Sequence, residues 1–495
     1  MLAKNKKRKK RYSDFLLKLK QNSQNCLSFH TSQLTELYQC STQKNLLVSN
    51  LDARIESKFI EEDILGIVAG SLADTHLNNA GSPYIKSDVW SSETKEFEIE
   101  IIEMWAKYFG METNQVSGYV TSGSTEGNMA CINWHIIYFK NQLRSIKESK
   151  TRDLSKKKRK LHSLISDIKT SNDIQNINTV NNLYNKYFIL NEEIQTLEDS
   201  IKQIKSPILY ATQVPHSHYS ISKIASLYKL DTKWVNSNEN GSMNLVDFEN
   251  SIKQHTLDSP LAPAIININI GTTMTGAIDN APMILKILKC YPINYSIHLD
   301  AAMLGAVLKF INPFPNVTNY FFELEAKTIV VSGHKFLGTS QITGIACAEK
   351  DFLSTVFPNK KHYIGYTGNL HDITISGSRS GFNIMLLHNI MSSLDMDTDY
   401  SRLKKLIQQC FNNLEYLKTG LINIIGRENI ILLPNQFNIL FIRPSDTIQK
   451  KYSLMPVIEC YSSIIVTAKV TKEKIDTFLS EYKKDEHIIS KLLTT

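Results

Sequence analysis

The sequence of 495 residues lacks a C-x-x-C pair, the spacing that zinc sites and redox motifs use. Its seven cysteines are scattered and odd in number, which argues against a disulfide framework and gives no pattern for a zinc site. We expect most of them to be small buried apolar side chains, and we expect no bound metal.

Long apolar runs are missing as well. No stretch approaches the roughly 20 residues that cross a bilayer, and the basic N-terminus is not followed by the apolar segment of a secretory signal. We therefore expect a soluble, cytoplasmic protein with no membrane span.

The net charge is +8, and the two densest basic runs, residues 4–11 and 156–160, contain no aromatic side chains. Interleaved aromatics or a recognisable binding motif would indicate contact with nucleic acid. Neither is present, so we interpret both runs as solvated segments and expect no nucleic-acid partner.

Short apolar runs typical of strands alternate with segments of helical periodicity over much of the chain. This alternation predicts an α/β fold with a mainly parallel sheet that helices cover on both faces. Residues 140–205 interrupt the alternation with two helical segments, which we interpret as an inserted antiparallel hairpin. After Gly381 the pattern changes to a long helix near 383–425, three short strands and a closing helix over 472–492.

These changes of pattern predict three parts. Residues 1–60 form a basic, partly flexible N-terminal arm. Residues 61–380 form a large α/β domain that contains the helical insert, and residues 381–495 form a small C-terminal α+β domain.

A turn rich in glycine and hydroxyl side chains lies between a short apolar run and a helix, at residues 118–128. Gly123, Ser124 and Thr125 stand where the helix begins, so their backbone N–H groups and hydroxyls meet the positive end of the helix dipole. This arrangement predicts a phosphate site. It matches neither the P-loop nor the dinucleotide fingerprint.

Two further polar residues follow apolar strands: Asp300 ends one, and Lys335 follows the run 330–331 after a small-residue turn. A buried ammonium is costly unless its charge is removed, as an imine with an aldehyde would do. A phosphate site, a carboxylate and a lysine are together what pyridoxal phosphate requires. His218 is the candidate for one face of its ring, and Ala302 is small enough for the other.

The sequence resembles the group II pyridoxal-phosphate decarboxylases, closest to the branch of bacterial histidine decarboxylases and plant serine decarboxylases. The segments that carry this resemblance are T-S-G-S-T-E-G-N (121–128), H-Y-S (218–220), H-L-D-A-A (298–302), S-G-H-K (332–335) and G-S-R (377–379).

The resemblance implies a type I, aspartate-aminotransferase-like fold with a seven-stranded sheet, and a homodimer with active sites at the interface. It implies that Lys335 is the Schiff-base lysine, that Asp300 is the partner of the pyridinium nitrogen and that His218 stacks on the ring. The remaining contacts that it implies are Ser124, Thr125, Ser332 and His334 around the phosphate, and Thr272 near the ring hydroxyl.

The sequence leaves alternatives open for the proton donor and for Arg379. The proton donor is expected to be a tyrosine or histidine on a loop, and Tyr363 or Tyr366 is our choice. Arg379 could meet the substrate carboxylate through its bidentate guanidinium, or it could join the domains.

We predict decarboxylation of an L-amino acid, with histidine to histamine as the first candidate. Serine or another amino acid is the alternative substrate, and transamination is the nearest alternative reaction, because it would use the same lysine and aspartate. A non-catalytic interaction protein on a vestigial cofactor fold is the alternative of another class. Cofactor binding and release of carbon dioxide with a stoichiometric amine distinguish these possibilities.

Overall fold

The computed structural model describes residues 78–84, 94–170, 177–202, 204–357, 372–434, 436–457, 460–467 and 469–494. The predicted N-terminal arm lies outside these ranges. No helix in the described ranges is both long enough and apolar enough to cross a membrane.

A seven-stranded sheet forms the centre of the molecule. In the described part of the chain the first strands are β1 (Asn78–Ala80), β2 (Val116–Thr121), β3 (Ile208–Thr212), β4 (Asp231–Val235), β5 (Ala264–Asn269), β6 (Tyr295–Asp300), β7 (Ala326–Ser332), β8 (Gly344–Glu349) and β9 (Ser378–Ser380). The sheet has the order β2-β8-β7-β6-β5-β3-β4, while β1 pairs separately with β9. Within the large sheet only β8 runs against its neighbours. The predicted α/β class with a mainly parallel sheet is confirmed.

Helices cover both faces of this sheet. They are α1 (Thr94–Tyr108), α2 (Ser124–Thr170), α3 (Ile177–Lys202), α4 (Tyr219–Tyr228), α5 (Leu245–Asp258), α6 (Ala281–Lys289), α7 (Leu308–Ile311), α8 (Lys350–Val356) and α9 (Gly381–Ser393). Alternate residues of a strand face opposite sides. On β5, Ile265 therefore packs with Ile132 and Ile136 of α2, whereas Ile266 joins the core on the other face.

The C-terminal part has a sheet and a core of its own. After α10 (Ser401–Ile425) come β10 (Ile430–Leu432), β11 (Asn438–Ile442), α11 (Asp446–Tyr452), β12 (Met455–Val457), β13 (Tyr461–Ile465), α12 (Lys472–Tyr482) and α13 (Glu486–Thr494). The strands are antiparallel in the order β10-β11-β13-β12. Leu417, Phe441 and Phe478 belong to the apolar cluster between this sheet and its helices.

The first helix of the insert is continuous with the helix of the phosphate turn, because α2 runs for 47 residues from Ser124 to Thr170. No glycine or proline occurs between residues 128 and 170, so nothing in the sequence interrupts the helix. Lys157 and Lys158 pair with Glu193 and Glu198 of α3, at 2.5 and 2.6 Å. Part of the basic run therefore contacts acidic side chains of the hairpin itself.

Helix α2 lies unusually close to β7 where it begins. A Cβ added at Gly127 would lie 2.9 Å from Cγ1 of Val330, which is closer than side-chain carbons approach one another. The absence of a side chain at Gly127 therefore sets the distance between the start of α2 and the sheet.

We predict that Gly127→Ala lowers the free energy of unfolding by about 1–3 kcal/mol, because the added methyl group overpacks against Val330. In a Val330→Ala background the space is open, and the same change should be stabilising by up to about 1 kcal/mol, since alanine favours a helix over glycine. Urea denaturation of the four proteins measures both effects. An equal penalty in the two backgrounds would contradict this contact.

Candidate active site

The turn between β2 and α2 forms a cradle of donors. Glu126 holds this turn, because its Oε2 accepts hydrogen bonds from the backbone N–H of Ser122 at 2.8 Å and from its hydroxyl at 2.6 Å. Thr121 Oγ1 donates to the carbonyl oxygen of Gly123 at 2.8 Å. Gly123 has a φ of +148°, which a side chain would rarely adopt. Ser124 and Thr125 follow at the first positions of α2, where its N–H groups and dipole favour an anion.

The turn after β7 lies beside this cradle. Ser124 Oγ and Ser332 Oγ are hydrogen-bonded although 208 residues separate them. After Ser332 the backbone turns, and the N–H of Gly333 donates to the carbonyl oxygen of Thr343 at 3.0 Å. His334 Nδ1 donates to the same oxygen at 2.8 Å. Ser332, a predicted phosphate contact, therefore stands next to the start of α2, and His334 lies in the turn that follows it.

Asp300 and Lys335 follow neighbouring strands at the same edge of the sheet, because Asp300 pairs in register with Val330. Asp300 is buried and Lys335 is partly exposed. Burial lowers the pKa of Lys335, and the negative charge of Asp300 opposes this shift. The amine and the carboxylate are therefore within electrostatic reach of each other.

Asp300 is held from two sides. Its Oδ2 accepts a hydrogen bond from Asn128 Nδ2 at 2.8 Å, and its Oδ1 accepts one from the backbone N–H of Ala302 at 3.3 Å. The carbonyl oxygen of Ala302 accepts in turn from the backbone N–H of Ser332. Ala302 therefore connects the end of β6 with the end of β7.

His218 caps helix α4 at the edge of the same region. Its Nδ1 accepts from the backbone N–H of Ser220 at 3.2 Å and lies 2.8 Å from Ser220 Oγ. Burial lowers the pKa of His218; Asp300 opposes the shift and Lys335 adds to it. In the neutral imidazole the proton therefore belongs to Nε2, because Nδ1 is the acceptor.

The remaining predicted site residues are Thr272, Tyr363 and Tyr366. Thr272 lies in the turn after β5, where its hydroxyl accepts from the N–H of Ala277 and contacts Thr275 Oγ1 at 2.9 Å. Tyr363 and Tyr366, the predicted proton donors, lie outside the described residues.

Arg379 is a structural residue in this geometry. Its Nε and Nη2 donate to the two carboxylate oxygens of Glu98 at 3.1 and 3.0 Å, and both side chains are buried. Glu98 also accepts from the N–H of Val120 and from Asn79 Nδ2. The pair joins α1, β1, β2 and β9, so of the two roles left open for Arg379 the contacts favour the one that joins parts of the fold.

The hydrogen bond from Asn128 to Asp300 was not predicted from the sequence. A signal was present: residues 124, 128, 131 and 135 recur at helical spacing, and they are serine, asparagine, cysteine and histidine in a helix whose other buried residues are mainly apolar. Such a polar stripe on a buried helix face requires polar partners on the sheet.

Comparisons with known proteins agree with this geometry. A family model described as the pyridoxal-dependent decarboxylase conserved domain matches residues 187–442. A histidine decarboxylase of Solanum lycopersicum is 28% identical over 422 residues, which cover 84% of this chain and 81% of the relative. Serine decarboxylase 3 of Oryza sativa subsp. japonica is 28% identical over 417 residues, which cover 82% and 73%.

Solved structures agree on the fold. L-methionine decarboxylase from Streptomyces sp.590 superposes with a TM-score of 0.65 at 17% identity, covering 92% of this chain and 94% of the other. Glutamate decarboxylase from Lactobacillus brevis CGMCC 1306 gives 0.59 at 14% identity, covering 94% and 93%. The chain therefore has the type I α/β fold that the sequence predicted.

We predict that Glu98→Gln lowers the free energy of unfolding by about 3 kcal/mol or more, because it leaves the Arg379 guanidinium buried without its counter-charge. Glu481→Gln is the matched control, since Glu481 pairs with Lys451 at 2.6 Å on the surface and should contribute less than about 1 kcal/mol. Equal losses in chemical denaturation would show that burial does not strengthen the Glu98–Arg379 pair.

Proposed function

Because this chain belongs to the pyridoxal-dependent decarboxylase family, we propose that it converts histidine to histamine and carbon dioxide. That it is a pyridoxal-phosphate-dependent amino acid decarboxylase follows from the family; the choice of histidine is the proposal. The observation that carries the proposed site is the convergence of Asp300, Lys335 and His218 beside the donor cradle at the start of α2.

The residues present fit pyridoxal phosphate. The cradle offers backbone N–H groups and the hydroxyls of Ser124 and Thr125 at a helix N-terminus, which suits a phosphate. Asp300 offers a buried carboxylate, which suits a protonated ring nitrogen. Lys335 offers the amine. When bound, the cofactor supplies an aldehyde for covalent attachment of an amine and a ring that withdraws electrons from the bond to be broken.

Each side chain then has a definite task. Burial lowers the pKa of Lys335, so more of this amine is in the neutral form that acts as a nucleophile. Asp300 would hold a proton on the ring nitrogen through a charge-assisted hydrogen bond when the cofactor is bound. With the cofactor bound, His218 would lie against one ring face and Ala302 against the other, Ser332 and His334 would complete the phosphate contacts, and Thr272 would contact the ring hydroxyl.

Protonation of the product carbon is the remaining step. We assign it to Tyr363 or Tyr366, on the segment that lies outside the described residues.

Two observations support histidine as the substrate. The Solanum histidine decarboxylase matches most of this chain, and histidine decarboxylases of Acinetobacter baumannii are 32% identical over 243 residues, or 48% of it. Serine is the second candidate, since the rice serine decarboxylase is 28% identical over a similar length. Both reactions use the same cofactor contacts and differ only in the side chain that the pocket must hold.

We predict that the wild-type protein releases carbon dioxide from histidine faster than from the other nineteen common amino acids, with one histamine for each carbon dioxide. Lys335→Ala should lose both this activity and the visible absorbance of the bound cofactor, because no amine remains to attach it. Measurement of carbon dioxide with each amino acid, together with absorbance spectra, checks both expectations.

Lys327→Ala is the control for this experiment. Lys327 lies on β7, and its amine pairs with Glu349 at 2.5 Å, away from the site. This variant should keep the absorbance and the activity. If the protein releases carbon dioxide fastest from serine, serine replaces histidine as the substrate. An active Lys335→Ala protein with normal absorbance would refute the role of the lysine.

We also propose that the protein is a homodimer with its active sites at the subunit interface, as the resemblance to the family implies, and that it is cytoplasmic. Light scattering of the purified protein should give a mass of twice the 56.3 kDa of one chain. A single-chain mass at micromolar concentration would refute the dimer.

A further inference from the structure

A line of buried polar side chains lies behind Asp300, between helix α2 and the sheet. Its members, in order, are Ser296, His135, Thr328, His298, Asn128 and Asp300, and each is at most 5% exposed. His135 Nδ1 lies 2.7 Å from Ser296 Oγ, and its Nε2 lies 2.8 Å from Thr328 Oγ1. The line is therefore continuous from β6 through α2 to β7.

The second half of the line returns to β6 and ends at the carboxylate. His298 Nδ1 lies 2.8 Å from Thr328 Oγ1, and His298 Nε2 lies 3.1 Å from Asn128 Oδ1. Asn128 Nδ2 then donates to Asp300 Oδ2 at 2.8 Å. Five consecutive hydrogen bonds thus connect six side chains.

With Asp300 ionised and both imidazoles neutral, the chemistry of the groups fixes the direction of every bond. An ionised carboxylate only accepts, so Asn128 donates through its amide nitrogen and its Oδ1 is left to accept. His298 Nε2 therefore carries the proton, and its Nδ1 accepts from the hydroxyl of Thr328. The Thr328 oxygen accepts from His135 Nε2–H, and His135 Nδ1 accepts from Ser296. All five donors consequently point toward Asp300.

The histidines have the protonation state that this direction requires. Burial lowers the pKa of His298 to about 4, with the charge of Asp300 opposing the shift. Burial also lowers the pKa of His135 well below its ordinary value. Each imidazole is neutral near pH 7, with one donor and one acceptor, as a chain of bonds in one direction needs.

Asn128 has a second contact that connects this line with the other side of the site. The same Nδ2 lies 3.2 Å from Ser220 Oγ, and Ser220 Oγ lies 2.8 Å from His218 Nδ1. The serine hydroxyl can donate to only one acceptor, and Nδ1 of His218 is that acceptor. One buried amide therefore orients both the carboxylate and the histidine of the site.

We propose that Asn128 is a positioning residue, which the chain Ser296–His135–Thr328–His298 orients, and which fixes the Asp300 carboxylate in place and holds His218 in its Nε2–H form. Hydrogen bonds to a carboxylate are charge-assisted, so they hold its orientation strongly. A line of aligned donors also polarises each bond along it. This inference rests on the proposed function, because it assigns a task at the same cofactor site.

The test compares variants at Thr328, which lies two side chains away from Asn128 and does not touch Asp300. Thr328→Val keeps the shape and removes the hydroxyl, whereas Thr328→Ser keeps the hydroxyl. Tyr210→Phe is the matched control: Tyr210 lies on β3 of the same sheet, and its hydroxyl lies 2.8 Å from another buried imidazole, His255 Nδ1 of α5. Each apoprotein is titrated with pyridoxal phosphate, and the visible circular dichroism of the holoenzyme is recorded.

We expect Thr328→Val to bind pyridoxal phosphate about tenfold more weakly, the size expected when a hydrogen bond to a charged group is weakened, and to alter the visible dichroism. Thr328→Ser and Tyr210→Phe should stay within about twofold of wild type with the wild-type dichroism. If Thr328→Val matches Tyr210→Phe in both measurements, the positioning role is wrong, while wild-type activity would leave the proposed function standing. A wild-type protein that binds no pyridoxal phosphate would instead overturn the proposed function.

A second measurement is made on the wild-type holoenzyme, and variants serve only to assign its signals. Nitrogen-15 spectra of the histidine-labelled protein at pH 7, assigned with His298→Gln and His135→Gln, report which ring nitrogen is protonated. We expect both imidazoles to be neutral with the proton on Nε2. A protonated Nδ1 or an imidazolium at either position would reverse or break the line and refute the inference.

Discussion

The close contact between helix α2 and strands β6 and β7 is the constraint on which the site depends. The helix presents a residue to the sheet about every three or four positions, and the strands present one at every second position. Ser124, Asn128 and His135 therefore meet Ser332, Asp300 and Ser296 in turn. One helix thus supplies part of the donor cradle at its first residue and the partner of the carboxylate one turn later.

This contact also explains why polar groups are tolerated in the middle of the molecule. A buried polar atom without a partner is strongly destabilising. Along this face of α2 the side chains from Asn128 to His135 satisfy one another across the interface. The structure consequently keeps an ionisable residue at the end of a buried strand without exposing the strand to water.

Much of the fold could be predicted from the sequence because it depends on local patterns. Strands β3, β5, β6, β7 and β8 agree to within one to three residues with the apolar runs 208–211, 264–270, 296–299, 329–331 and 344–348 of the sequence. The placement of the glycine-rich turn, Asp300 and Lys335 at one end of the sheet follows from the parallel connections. The edge strand β4 was missed because most of its residues are not buried and its pattern is polar.

The prediction of a single helix near 383–425 is wrong, since Asp395 and Tyr400 adopt left-handed backbone angles between α9 and α10. The closing helix also ends early, at Tyr482, and a second one begins at Glu486.

The contacts that could not be predicted join residues far apart in the chain. Glu98 and Arg379 are 281 positions apart, and Asn128 and Asp300 are 172 positions apart. A single sequence contains no information on which of many acids meets which base or amide. Periodicity places Asn128 and His135 on one face of a helix, but the strands that this face covers are known only when the chain is folded.

The unbroken course of α2 has a mechanical consequence. At 1.5 Å per residue, its 47 residues form a rod of about 70 Å, with the donor cradle at its first residue and Thr170 at the other end. A tilt of about one degree around the cradle displaces the tip by about 1 Å. A small change in the orientation of α2 at the cradle therefore produces a larger displacement at the far end of the helix.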